Sequence, residues 1–143
     1  MPKKLIDLED KIIVYTDGGS RGNPGPAALG VVVGGHEYGE YLGIQTNNYA
    51  EYQALIFALK KVKQLAGKTK AKQSHIEVRM DSELIVRQMN GQYKITDPDL
   101  KIMYVDVHNL CLDLGSVTFV HIPREQNKAA DRMVNKALDE RLK

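Results

Sequence analysis

The sequence predicts an α/β protein built on a mixed five-stranded sheet with helices on its faces. Three observations support that class. Residues 11–45 hold three apolar, alternating segments separated by short glycine-bearing turns, with no helical stripe between them. From residue 47 onward, stripes of helical period alternate with short apolar runs. A helix inserted between two strands normally leaves them parallel. An antiparallel meander followed by such crossovers makes a mixed sheet.

Each element has its own signal. Residues 11–17 place Ile13, Tyr15 and Asp17 on one face and Ile12, Val14 and Thr16 on the other. This strand is expected to end at Asp17, because Gly18 to Pro26 is rich in turn residues. Residues 27–33 and 37–45 read as the second and third strands, joined at Gly34-Gly35. Asn47 or Asn48 is expected to cap the first helix. Its apolar stripe is Leu55, Ala58, Leu59, Val62, Leu65 and Ala66, and Gly67 ends it. A fourth strand covers 76–80, and a short helix covers 82–89, closed by Asn90-Gly91. Asp97-Pro98 supplies the cap and first residue of a helix reaching about residue 114. The fifth strand covers 117–122, and the last helix runs from about 126 to 142. The expected order is βββαβααβα. With no repeat, linker or low-complexity tract, one domain over residues 1–143 is expected.

Composition is that of a soluble globular protein, 43% apolar and 27% charged. A formal net charge of +2 decides nothing about nucleic acid. The distribution says more: Lys60, Lys61, Lys63, Lys68, Lys70 and Lys72 fall in a stretch without an acid. That run reads either as a solvated helix face or as a phosphate-binding patch. The single Cys111 excludes an internal disulfide and, among Leu110, Leu112 and Leu114, reads as a buried small hydrophobe. Met1 to Leu5 lacks the apolar core of a signal peptide, and no run approaches the roughly 20 apolar residues that span a bilayer. A cytoplasmic protein with no membrane partner is expected, and monomer is the default.

Four acids stand where acids are costly. Glu51 is the one charge on the apolar stripe of the first helix, four residues before Leu55. Asp17 and Asp81 end the first and fourth strands. If those strands are parallel neighbours, both carboxylates emerge at the C-terminal sheet edge, where ligands of α/β sheets bind. Asp131 lies three and seven residues before Val134 and Leu138, beside an apolar seam. Singly, each has a plain structural role available, as a turn, a cap, an ion-pair partner or a helix N-terminal acid. Together they imply a cluster that repels itself at neutral pH unless a cation joins it. Oxygen ligands without Cys or His suit a hard ion such as Mg²⁺ or Mn²⁺. Shared carboxylates can hold two ions about 3.5–4 Å apart, an arrangement for phosphodiester displacement.

Four stretches, "YTDGGSRGNPGP", "TNNYAEYQAL", "VRMDSELIVRQMNG" and "HIPREQNKAADRMVNKAL", together resemble type 1 ribonuclease H, over about residues 11–140 and in the right order and spacing. The resemblance implies the ribonuclease H-like fold. It also implies an endonuclease that cuts the RNA strand of RNA–DNA hybrids, leaving 5′-phosphate and 3′-hydroxyl ends. It implies that Asp17, Glu51, Asp81 and Asp131 hold two Mg²⁺ ions as cofactor, with Mn²⁺ as a substitute. Gly18, Gly19 and Gly22 would bring backbone amides close to the nucleic acid. Asn23 would read the minor groove, where 2′-hydroxyls distinguish RNA from DNA. Asn47 and Asn48 would contact the hybrid, and Thr46 would belong to a DNA-phosphate pocket.

The sequence departs from the family at three places. Position 83, a glutamine in many members, is Glu83, which cannot donate a hydrogen bond. The loop before the last acid is short and lacks the mobile histidine of many bacterial members, as in an archaeal- or plant-like branch. Arg124 is the candidate for that histidine's role, with His121 the alternative. The basic, Trp-bearing protrusion is missing from residues 90–102, and no separate hybrid-binding domain is expected. Affinity should therefore be modest and strongly salt-dependent. Two other functions remain open: cleavage of double-stranded RNA as well, or a non-catalytic nucleic-acid-binding module.

Overall fold

The computed structural model describes residues 11–142. The stretch Met1 to Leu5, read above for a signal, lies outside the described residues. Five strands form one sheet: β1 (Ile12–Ser20), β2 (Gly25–Val33), β3 (His36–Gln45), β4 (His75–Met80) and β5 (Ser116–His121), in the order β3-β2-β1-β4-β5. β1–β2 and β2–β3 are antiparallel, whereas β1–β4 and β4–β5 are parallel. The mixed sheet expected from the sequence is the one observed. The helices are α1 (Asn47–Ala66), α2 (Lys68–Gln73), α3 (Glu83–Met89), α4 (Pro98–Leu112) and α5 (Lys128–Arg141). A 3₁₀ turn, Arg124–Gln126, precedes α5.

Three expectations need correction. β1 does not end at Asp17; it continues to Ser20, because Gly18, Gly19 and Ser20 keep pairing with Leu29, Ala28 and Ala27. The chain between α1 and β4 is not a plain connection. Gly67, at φ 83°, breaks the axis, and residues 68–73 then form α2. Only Ala71 of α2 is buried, so no apolar period announced it. The cap of α1 is Thr46, whose Oγ1 accepts from Tyr49 N at 3.1 Å, and Asn47 and Asn48 fall inside the first turn.

The main core lies between the sheet and α1 and α4. There Val14, Leu29, Val31, Ile76 and Val78 pack with Leu55, Leu59, Val62, Met103 and Val107. α5 covers the opposite face of the meander, through Ala28, Val134 and Leu138. Two glycines set how closely these helices approach. A Cβ at Gly18 would stand 2.3 Å from the Ala50 carbonyl carbon, and one at Gly30 would stand 2.1 Å from the Ala130 oxygen. Helix backbone therefore lies directly on strand backbone on both faces.

One feature of the register positions the site. β1 pairs with β4 only as far as Tyr15 and Arg79, yet β1 runs on to Ser20. Beyond Tyr15 the two strands diverge, and a cleft opens at their C-terminal ends.

Candidate active site

The exposed edge of β1 in that cleft carries backbone groups that would otherwise be orphaned. Side chains from α1 and from the residue that begins α5, with β1's own Asp17, satisfy them. The Thr16 carbonyl accepts from Asn127 Nδ2 at 2.9 Å. Gly18 N donates to Asp17 Oδ1 and to Glu51 Oε1, both at 3.0 Å. Ser20 N donates to Asn47 Oδ1 at 2.8 Å, and Asn47 N donates to Asn23 Oδ1 at 3.0 Å. The strand edge thus acts as a frame on which the polar side chains are hung.

Asp17 lies on β1, Glu51 on α1 and Asp81 just after β4. One carboxylate oxygen from each lies within 4.8 Å of the others. Asp17 and Glu51 are each only 8% exposed. Burial, and then the charges of Asp81 and Asp131, push the Asp17 carboxyl up to about 8. Burial, and then the charges of Asp17 and Asp81, hold Glu51 well above the usual carboxylate range, against the pull of Gly18 N–H and Arg124. Asp131 lines the same cleft from the first turn of α5, but it is exposed at the rim and stands outside the tight trio. The cleft encloses about 400 Å³. Three converging carboxylates, two of them buried and reluctant to ionise, are a donor set that fits hard divalent cations.

Arg124, exposed on the 3₁₀ turn, also lines the cleft. His121 is the last residue of β5, is exposed, and is not among the residues lining the cleft. Glu83 is exposed on α3 and is paired with Arg87 at 2.9 Å. Gly18 has a packing role against α1, and its N–H is engaged by two carboxylates. Gly19 faces α5, where a Cβ would meet only Val134 at 3.5 Å. Asn23 and Asn47 are locked in the loop-to-helix bonds above, whereas Asn48 is half-buried without a side-chain bond among the described residues. Thr46 caps α1 and is not among the residues lining the cleft.

Asn127, not a candidate from the sequence, is 1% exposed and reaches both β1 and Asp81. Its position four residues before Asp131 reads as an ordinary helix start, which hides its burial. Ser20, Arg21 and Asn135 also line the cleft and were not singled out.

A family pattern described as reverse transcriptase-like matches residues 15–137. Ribonuclease HI of Halobacterium salinarum is 39% identical over 140 residues, covering 94% of this chain and 67% of that protein. Bifunctional protein Rv2228c of Mycobacterium tuberculosis is 40% identical, and the chain covers 36% of its length. Among solved structures, LC11-RNase H1 in complex with an RNA/DNA hybrid is 48% identical, with a TM-score of 0.87 over 92% of this chain and 99% of that one. RNase H1 from Halobacterium salinarum matches with a TM-score of 0.82 and 39% identity, over 91% of this chain and 98% of that one. The sheet order, the acids converging where β1 and β4 part, and these likenesses agree: the chain belongs to the ribonuclease H family.

Proposed function

We propose that the protein is a metal-dependent endoribonuclease that hydrolyses the RNA strand of RNA–DNA hybrids to 5′-phosphate and 3′-hydroxyl ends. The observation that carries this reading is the convergence of Asp17, Glu51 and Asp81 within 4.8 Å, with Asp131 on the same cleft. A binding module for a polyanion has no use for such a set, because it repels phosphate until a cation neutralises it. A relative 48% identical to this chain is known in complex with an RNA/DNA hybrid, which supports the substrate.

In this reading Asp17, Glu51, Asp81 and Asp131 hold two Mg²⁺ ions, and Mn²⁺ can replace them. The chemistry such ions supply when bound is a more acidic attacking water and neutralised charge at the departing 3′ oxygen. The protein's own groups do the rest. Gly18 N–H fixes the orientation of Asp17 and Glu51. Arg124 lines the cleft, without a side-chain bond among the described residues, and its role in this reading is to meet the scissile phosphate. A guanidinium does not release its proton near neutrality, so its part is electrostatic rather than proton transfer. Asn48, Thr46 and Glu83 are assigned to contact with the hybrid, with Glu83 accepting where a glutamine would also donate. Gly19 and Asn47 line the cleft, and Asn23 holds the Asn47 backbone from outside it. The protein works as a monomer in the cytoplasm, where a lone Cys111 stays reduced.

The test is cleavage of end-labelled hybrid, RNA duplex and DNA duplex with and without Mg²⁺, using Asp81→Asn as control. Hybrid cleavage that needs Mg²⁺ and disappears in the variant is expected. Equal turnover by Asp81→Asn would remove the mechanism, and comparable cutting of the RNA duplex would widen the substrate class.

A further inference from the structure

Asn127 occupies the point where β1 and β4 separate. It is 1% exposed. Its backbone N donates to the Arg124 carbonyl at 2.9 Å, closing the turn that carries Arg124. Its own carbonyl accepts from Asp131 N at 3.1 Å, which sets the first turn of α5. Its side-chain Nδ2 donates to the Thr16 carbonyl at 2.9 Å and reaches Asp81 Oδ2 at 3.5 Å. One residue therefore touches the β1 backbone next to Asp17, the carboxylate of Asp81, and the backbones of Arg124 and Asp131.

The ordinary explanation for Asn at this place is helix capping. It does not apply, because the side chain makes no capping bond to α5. Capping is also served by a half-exposed Ser or Asp, without burying an amide. Here the amide is buried although its Oδ1 has no hydrogen-bond partner. Burying an acceptor unpaired is unfavourable. The donor end must return that cost, and its partners are β1 and Asp81.

We propose that Asn127 is a positioning residue for the acid cluster: anchored to β1 through Thr16, its amide holds Asp81 at a fixed spacing from Asp17. A neutral donor suits this task. It orients the carboxylate without bringing a positive charge that would compete with a cation. The inference rests on the metal-site reading above.

The experiment is calorimetric titration of Mg²⁺ into the nucleic-acid-free protein, wild type against Asn127→Ala, with Val107→Ala as a destabilised control from the far side of the core. Groups that orient metal ligands typically contribute about 10- to 100-fold in metal affinity. Asn127→Ala is expected to weaken Mg²⁺ binding by about tenfold or more, and to lower kcat with KM for the hybrid unchanged. Val107→Ala is expected to keep wild-type Mg²⁺ affinity despite a similar loss of Tm. A folded Asn127→Ala that binds Mg²⁺ like wild type overturns the assignment of Asn127 alone. A wild-type protein that takes up no divalent ion overturns the metal-site reading, and this assignment with it. A readout without any change at residue 127 is the NMR signal of its side-chain amide protons. Those signals are expected to shift on adding Mg²⁺ and in Asp81→Asn; signals that move with neither overturn the proposal.

Discussion

An acid buried beside other acids stabilises the fold only while it keeps its proton. Asp17 titrates at about 8 in the folded chain, against about 3.9 when unfolded. Its folded value is the higher, so the folded state binds more protons between those limits. The resulting stability is fully present below about pH 4 and is lost as pH rises through about 8. Glu51, displaced in the same direction, adds to the trend. Metal-free protein should therefore melt at progressively lower temperature from pH 5 to pH 9, and Mg²⁺ should restore much of the loss. Asp17→Asn removes a charge that the site resists. At pH 8 without metal it should melt about 3 °C or more above wild type, show almost no difference at pH 4 or below, and have no activity. A lower melting temperature at pH 8 would make Asp17 a structural anchor. Arg124 gives the opposite pattern, since it is exposed and makes no side-chain bond among the described residues. Arg124→Ala should lower kcat by on the order of 10²-fold with Tm unchanged, and Arg124→Lys should recover part of it. Stopped-time hybrid cleavage and thermal melts together decide this.

Helices in this fold are aimed by the backbones they lie against. Gly18 lets α1 rest on β1, and that contact brings Glu51 to the β1 edge. Gly18→Ala would place a methyl 2.4 Å from Glu51 N, against backbone that cannot rotate away. The change should cost on the order of 3 kcal/mol and abolish activity, whereas Gly19→Ala, in ordinary contact with Val134, should fold nearly as wild type. Chemical denaturation of both variants checks the contrast. The same elements show which signals the sequence carries. Strand alternation and the α1 stripe reflect burial, so the mixed sheet, the helix faces and the convergence of Asp17, Glu51 and Asp81 were legible. The extension of β1 to Ser20 was not, because Gly18 and Gly19 read as turn residues until β2 pairs with them. α2 has one buried residue and therefore no period to read. Asn127 gains its meaning from β1 and Asp81, 111 and 46 residues away, which no local pattern encodes.

Two charged groups among the described residues stand apart, the acids of the cleft and the lysine run. The acids and Arg124 gather where the C-terminal ends of β1 and β4 part. The lysine run occupies the second half of α1 and all of α2, just before β4 begins. At 1.5 Å per residue, Lys68 lies roughly 25 Å along the chain direction from Glu51. Much of the run is engaged within the protein. Lys61 sits 4.8 Å above the Tyr38 ring, Lys63 pairs with Asp113 at 2.7 Å, and Lys72 donates to the Leu112 carbonyl at 2.7 Å. Those contacts favour the solvated structural face over the phosphate-binding patch. Neutralising Lys68, Lys70 and Lys72 to Gln should leave KM for the hybrid, and its steep dependence on salt, within about twofold of wild type. Tm should fall slightly, through loss of the Lys72 tie to α4. If phosphates did bind there, the slope of log KM against log salt would drop by nearly one for each phosphate contact removed. A titration of KM between 50 and 200 mM salt separates the two outcomes, because the structural account predicts parallel lines and the patch predicts converging ones.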